Sequence, residues 1–150
     1  MSKNFDDLLS KLRVAETKKL SVAVAQDEPV LEAVKAAKDR GIADAILVGD
    51  KSKIKEVAAK IDMDLTDFEI IHEEDIKKAT LKAIQLVSSG AADMVMKGLV
   101  DTATFLRSVL NKEVGLRTGK LMSHVSVFEI EGIDRLILLT DAAFTTYPDL

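Results

Sequence analysis

Three short polar clusters in the second half of the chain carry side chains suited to holding an anion. The first is Lys97-Gly98-Leu99-Val100-Asp101-Thr102, with Arg107 five residues further on. The second is Ser123-His124, after a polar segment containing Gly115 and Gly119, and the third joins Thr140-Asp141 to Thr145, Thr146 and Pro148. Each follows an apolar stretch. In open α/β sheets, ligands sit just beyond the carboxyl ends of the strands, so the three clusters predict one shared anion-binding cleft.

Each cluster admits a functional reading and a plainer one. Where a strand meets a helix, backbone N–H groups and the helix dipole face a ligand. There Gly98 would let the backbone approach closely, and Lys97 and Thr102 would contribute donors. Asp101 and Thr102 are equally good N-cap residues, so the block also reads as a capped turn. Arg107 can snorkel to solvent beside the apolar Phe105, Leu106 and Val109, or lean back toward the helix start and clamp an oxyanion with its planar fork. Ser123 and His124 offer a hydroxyl and an acid–base group, although a lone histidine at a strand entrance also serves as a hydrogen-bonded structural residue. Asp141 either caps a turn or faces the cleft. No Gly-x-x-x-x-Gly-Lys-Ser/Thr segment occurs, which argues against a P-loop. No His or carboxylate spacing resembles a metal site.

The elements that must position these residues follow a strand–helix rhythm. Phe5, Leu8, Leu9 and Leu12 predict a helix over 5–14. Strands are expected at 19–25, 43–48, 68–71 and 93–96. Between them, apolar periodicity predicts helices carrying Val30, Ala33, Val34 and Ala37; Ile54, Val57, Ala58 and Ile61; and Ile76, Ala79, Ala83, Leu86 and Val87 inward. Pro29 and the neighbouring acids suit a helix start, and Gly41 suits its end. A fifth helix is expected over 102–110. This alternation predicts a mostly parallel sheet in a three-layer α/β/α arrangement. Segments 124–130 and 135–139 are separated only by Glu131-Gly132-Ile133-Asp134. That gap is too short for a crossover helix, so a C-terminal antiparallel hairpin is predicted. His72, beside Glu73 and Glu74, reads as a surface residue.

Composition narrows the functional classes. The chain has 150 residues, 47% apolar and 31% charged, which suits a single folded α/β domain with a real core. A net charge of −4 without a basic run, and an aromatic content of 4%, disfavour nucleic acid. Cysteine is absent, which excludes disulfides, Cys-ligated metals and a cysteine nucleophile from this chain. The start is polar and no apolar run approaches membrane-spanning length, so no membrane partner and a cytoplasmic location are expected.

Taken together, Lys97 to Arg107, Leu121-Met122-Ser123-His124-Val125, and Thr140-Asp141-Ala142-Ala143-Phe144 with Pro148 resemble blocks of the phosphate acetyl/butyryltransferase family, in particular the N-terminal half of its butyryl branch. The acetyl branch has Thr-Thr-x-x-x-x-Arg in the first block. Here Asp101 replaces the first threonine while Thr102 and Arg107 remain, and paired serines become Ser123-His124. The resemblance implies the first domain of a fold similar to isocitrate and isopropylmalate dehydrogenases. It implies acyl transfer, butanoyl-CoA plus phosphate giving butanoyl phosphate plus coenzyme A. Coenzyme A is then a substrate, with no permanently bound cofactor and no metal. The implied catalytic residues are Arg107, Ser123, His124 and Asp141. The implied phosphate and substrate contacts are Lys97, Gly98, Asp101, Thr102, Arg107, Ser123 and Thr145.

Family members are about twice as long, and the chain stops at Leu150 directly after a polar cluster. The expectation is therefore the N-terminal half of a two-domain acyltransferase, supplying one wall of a cleft, with a homo-oligomer or a complementary C-terminal half as partner. The competing expectation is an isolated α/β domain that folds and self-associates without turnover. A metal- or nicotinamide-dependent enzyme of the same broad fold has no acidic cluster to support it.

Overall fold

The computed structural model describes residues 3–12, 16–120 and 122–141. In chain order the elements are α1 (Phe5–Leu12), β1 (Lys18–Ala23), α2 (Glu28–Asp39), β2 (Ala43–Gly49), α3 (Lys51–Lys60), β3 (Glu69–His72), α4 (Ile76–Ser88), β4 (Met94–Lys97), α5 (Thr102–Val109), β5 (Val125–Phe128) and β6 (Ile137–Thr140). They fall into two compact units, one over Glu16–Arg117 and the other formed by the described residues of Met1–Ala15 and Thr118–Leu150.

In the unit Glu16–Arg117, four strands form a parallel sheet in the order β3-β2-β1-β4. The aliphatic β1 and β2 are central because both their faces are covered. Alternation along them divides the core. Val22, Ala45 and Leu47 pack with Leu31 and Val34 of α2 and Ile54 and Ala58 of α3. Ala23, Ile46 and Val48 pack with Ala79 and Ala83 of α4 and, at its margin, Phe105 of α5. The expected parallel sheet with helices on both faces is therefore found. Edge strands β3 and β4 are only half-buried. Asp93 sets the start of β4, since its N–H donates to the Lys19 carbonyl and its carboxylate accepts from the Lys19 N–H, each at 2.8 Å.

Helix boundaries follow local chemistry. Asp50, Asp75 and Asp101 cap α3, α4 and α5 by accepting backbone N–H groups two or three residues ahead. Gly41, at φ +67°, ends α2, with its N–H on the Lys38 carbonyl and that of Ile42 on the Ala37 carbonyl. Two details differ from the sequence expectation. The buried stripe of α2 is Val30, Leu31 and Val34, with Ala33 exposed and Ala37 half-buried. Ile76, expected inward, is 46% exposed as the first residue of α4, before that helix reaches the sheet.

In the other unit, β5 and β6 pair antiparallel, with Val125 opposite Thr140 and Phe128 opposite Ile137. The predicted hairpin is present and forms its own two-stranded sheet. The Phe5 N–H at the start of α1 donates to the Glu129 carboxylate at 2.7 Å, and Lys3 pairs with Asp134 at 3.2 Å.

Candidate functional site

The carboxyl ends of β1 and β4 lie side by side, and their following loops lead to helices on opposite faces of the sheet. This is the switch point at which open α/β sheets form a ligand crevice. The first polar cluster occupies it. β1 was expected to run to Ala25 but stops at Ala23, because Val24 adopts φ +58°. A β-branched residue in the left-handed region costs about 1–2 kcal/mol. It is held there by hydrogen bonds on both sides. The Val24 carbonyl accepts from the Leu99 N–H at 2.9 Å, and the Ala25 N–H donates to the Val48 carbonyl at 3.0 Å.

Gly98 is required by the approach of these two backbones. Its N–H donates to the Ala23 carbonyl at 2.8 Å. A Cβ on it would fall onto the Val24 carbonyl oxygen and lie 2.5 Å from that of Ala23. The N–H groups of Gly98, Leu99 and Val100 all donate within the protein, so among the described residues the α5 entrance leaves the amides of Thr102 and Ala103 as donors. Asp101 caps α5 through the Thr104 N–H at 2.9 Å. Its carboxyl is held below the usual range, first by the Thr104 side chain and amide, and further by the charge of Arg107. Thr102 is exposed, and Lys97 Nζ lies 3.5 Å from the carbonyl oxygen of its neighbour Gly98.

Arg107 is exposed and leans toward the start of its helix, with Nε donating to the Ala103 carbonyl at 3.2 Å. It borders a depression of about 260 Å³ between α4 and α5. Beside β1, the carboxyl ends of β2 and β3 carry groups that periodicity did not single out. His72 Nδ1 accepts the Lys51 N–H at 3.2 Å at the start of α3, so a neutral His72 carries its proton on Nε2. Burial pushes the Asp50 carboxyl up, but hydrogen bonds from Lys53 and Ser52 bring it below its ordinary value. The Lys82 ammonium, 2.9 Å away, does the same to Glu73.

Ser123, His124 and Asp141 belong to the hairpin unit. Ser123 is exposed and His124 half-buried, immediately before β5. Asp141 sits at φ +57°, a conformation tolerated by aspartate, and its N–H donates to the His124 carbonyl at 2.7 Å. The structure thus brings His124 and Asp141 together across the open end of the hairpin through their backbones. Thr145, with Thr146 and Pro148, lies outside the described residues. Among the described residues, no group of three or more His, Asp or Glu side chains could hold a metal, and no helix is long and apolar enough to cross a membrane.

Comparison with known proteins places the chain in a family. The chain is 72% identical over 149 residues to the phosphate butyryltransferase of Clostridium beijerinckii, covering 99% of this chain and 49% of the relative. It is 67% identical over 150 residues to that of Clostridium acetobutylicum, covering 100% and 50%. The chain therefore spans about half the length of the curated relatives it matches. The fold is shared with a phosphotransacetylase structure from Streptococcus pyogenes, at a TM-score of 0.76 and 18% identity, covering 97% of this chain and 54% of that one. The family described as Phosphate acetyl/butaryl transferase matches residues 4–80 and 71–150. The chain belongs to the phosphate acetyl/butaryl transferase family.

Proposed function

We propose that this chain supplies one wall of the active-site cleft of a phosphate butyryltransferase, a cytoplasmic enzyme of which it forms the N-terminal half, and that a complementary C-terminal half supplies the other wall. The observation that carries this reading is the 72% identity to a phosphate butyryltransferase over 149 residues. In the reaction, a phosphate oxygen attacks the thioester carbonyl of butanoyl-CoA. The tetrahedral oxyanion collapses, the C–S bond breaks, and the sulfur leaves as coenzyme A thiol after gaining a proton. Butanoyl phosphate is the other product. Direct transfer needs positioning and oxyanion stabilisation more than an enzyme nucleophile, which suits a chain without cysteine.

In this reading Arg107 clamps phosphate with its two Nη groups, since Nε is already committed to Ala103. Thr102 and the free amides at the α5 entrance add donors beside Lys97, and Ser123 and Thr145 are further residues proposed to contact substrate. Gly98 and Asp101 act by shaping that entrance. Ser123, His124 and Asp141 serve the thioester, with His124 as the acid–base group. Coenzyme A enters as substrate, and neither a metal nor a resident cofactor takes part.

The test is thiol release from butanoyl-CoA in phosphate, with the chain alone and with a co-expressed C-terminal half. Release only with the second half is the expected result. Arg107→Ala should then raise the phosphate KM about tenfold or more, as expected for loss of a charge-assisted contact. An unchanged phosphate KM would remove Arg107 from the phosphate site. Turnover by a phosphate-independent route would overturn the acyltransferase reading.

A further inference from the structure

The loop after β1 holds two polar side chains without a partner among the described residues, Gln26 and Asp27. Val24 turns through φ +58°, after which the Ala25 N–H donates to the Val48 carbonyl at 3.0 Å and the Asp27 N–H to the Ala25 carbonyl at 2.8 Å. These bonds fix the backbone on both sides of Gln26 and bring it to the carboxyl end of β2. There its side-chain amide lies on Gly49. A Cβ on that glycine would fall onto Gln26 Oε1 and come within 3.2 Å of the Ala25 nitrogen. The absence of a side chain at Gly49 is what leaves room for the Gln26 amide.

Gln26 Oε1 is buried and accepts no hydrogen bond among the described residues. An unpaired buried oxygen lowers stability, so its placement calls for a reason outside the fold. Wedging Oε1 against Gly49 orients the amide, whose Nε2 end is neither buried nor bonded among the described residues. Asp27 differs from its counterparts. At the starts of α3, α4 and α5, Asp50, Asp75 and Asp101 each accept helix amides, whereas Asp27, at the N-cap of α2, accepts none. Pro29 removes one of the amides such a cap could use. Asp27 is half-buried and forms no ion pair among the described residues. Its side chain is an acceptor left free beside a free donor.

Such a pair does not suit phosphate. Residues 24–29 include Asp27 and Glu28 and no cation, and like charges in close contact repel. It suits a secondary amide, whose carbonyl accepts from an N–H₂ group and whose N–H donates to a carboxylate. We propose that Gln26 and Asp27 bind a secondary amide of the substrate, Gln26 Nε2 donating to its carbonyl and Asp27 accepting from its N–H, and that this amide belongs to the pantetheine arm of coenzyme A. The assignment to pantetheine rests on the acyltransferase reading; the amide-binding pair itself does not. Both residues sit at the carboxyl end of β1, the strand beside β4. They hold the arm by its neutral part and leave its phosphates to other residues.

The test titrates the 15N-labelled chain with pantetheine, which carries secondary amides and no phosphate, and separately with adenosine 3′,5′-bisphosphate, which carries phosphates and no such amide. Saturable shifts of the Gln26 side-chain N–H₂ and of the Ala25, Asp27 and Gly49 backbone amides are expected with pantetheine and not with the bisphosphate. Gln26→Met keeps the length of the side chain without its donor and should weaken pantetheine binding about fivefold, the loss of one neutral hydrogen bond. Asp27→Ala removes an acceptor that caps no helix amide and should weaken it about tenfold, the loss of a bond to a charged group. An unchanged amide spectrum outside the loop will show that each variant folds. Absence of pantetheine shifts in the loop, shifts that either substitution leaves unchanged, or an equal response to the bisphosphate would overturn the proposal. No turnover is needed, so this failure is separable from failure of the acyl-transfer assay.

Discussion

Gly98→Ala isolates a single physical cause. Its backbone lies outside the left-handed region, so alanine meets no dihedral penalty there, and only space decides the outcome. The new Cβ would land on the Val24 carbonyl oxygen, 2.5 Å from the Ala23 oxygen and 3.0 Å from the Val24 carbonyl carbon. All three are backbone atoms, so no flexible side chain can swing away. An ordinary carbon–oxygen contact is about 3.3 Å, which requires β4 to retreat from β1 by about 0.8 Å. That retreat stretches the hydrogen bonds from Gly98 to Ala23 and from Leu99 to Val24, now 2.8 and 2.9 Å. Two weakened bonds at about 0.5–1.5 kcal/mol each, with about 1–3 kcal/mol of overpacking, give about 3 kcal/mol of destabilisation. In a chain of this size that lowers Tm by roughly 6–12 °C. Thermal unfolding followed by circular dichroism measures it. Gly41→Ala is the control: its φ is +67° with nothing within 4 Å, so it should lose only about 1 kcal/mol of left-handed penalty. A Gly98→Ala protein as stable as wild type, but without phosphate binding, would refute the packing argument and make Gly98 a ligand-approach residue.

Three further outcomes follow from the same structure. Ser21 is fully buried in β1 and its hydroxyl has no hydrogen-bond partner among the described residues, so Ser21→Ala should be neutral or stabilise by about 1 kcal/mol; a lower urea midpoint would contradict that. Leu47, fully buried in central β2, should cost about 2–5 kcal/mol as alanine, read from urea unfolding, and a loss below 1 kcal/mol would contradict the core described above. The carboxyls of Asp50, Glu73 and Asp101 are all held below their ordinary values. Their stabilisation is therefore present above the unfolded carboxylate range, near pH 4, and is lost as pH falls through the lower folded values. Asp101→Asn should reduce the difference between urea midpoints at pH 7 and pH 3; an unchanged difference would contradict the role assigned to that cap.

The rhythm of this fold was legible because its helices and central strands obey their periods. Ile54 and Ala83 fell on the faces their spacing predicts, and the short gap at Glu131–Asp134 gave the antiparallel hairpin. What escaped depends on contacts distant in sequence. β1 ends early because Val24 turns to meet Leu99, some 75 residues later, which no local pattern records. Ile76 matched the apolar stripe yet lies exposed, since periodicity does not say where a helix first touches its sheet. His72 is exposed, as its sequence context predicts, but its bond to the Lys51 amide, a backbone group, has no sequence signature. The β4–α5 cluster was recognisable from residue type.

The most direct measurement of the central claim is 31P NMR of butanoyl-CoA and phosphate incubated with this chain co-expressed with the C-terminal half of its 72%-identical relative. The account predicts an acyl phosphate resonance growing in step with released thiol, absent when either half is omitted. Thiol release without acyl phosphate, or no reaction from a complex shown to assemble, would contradict it.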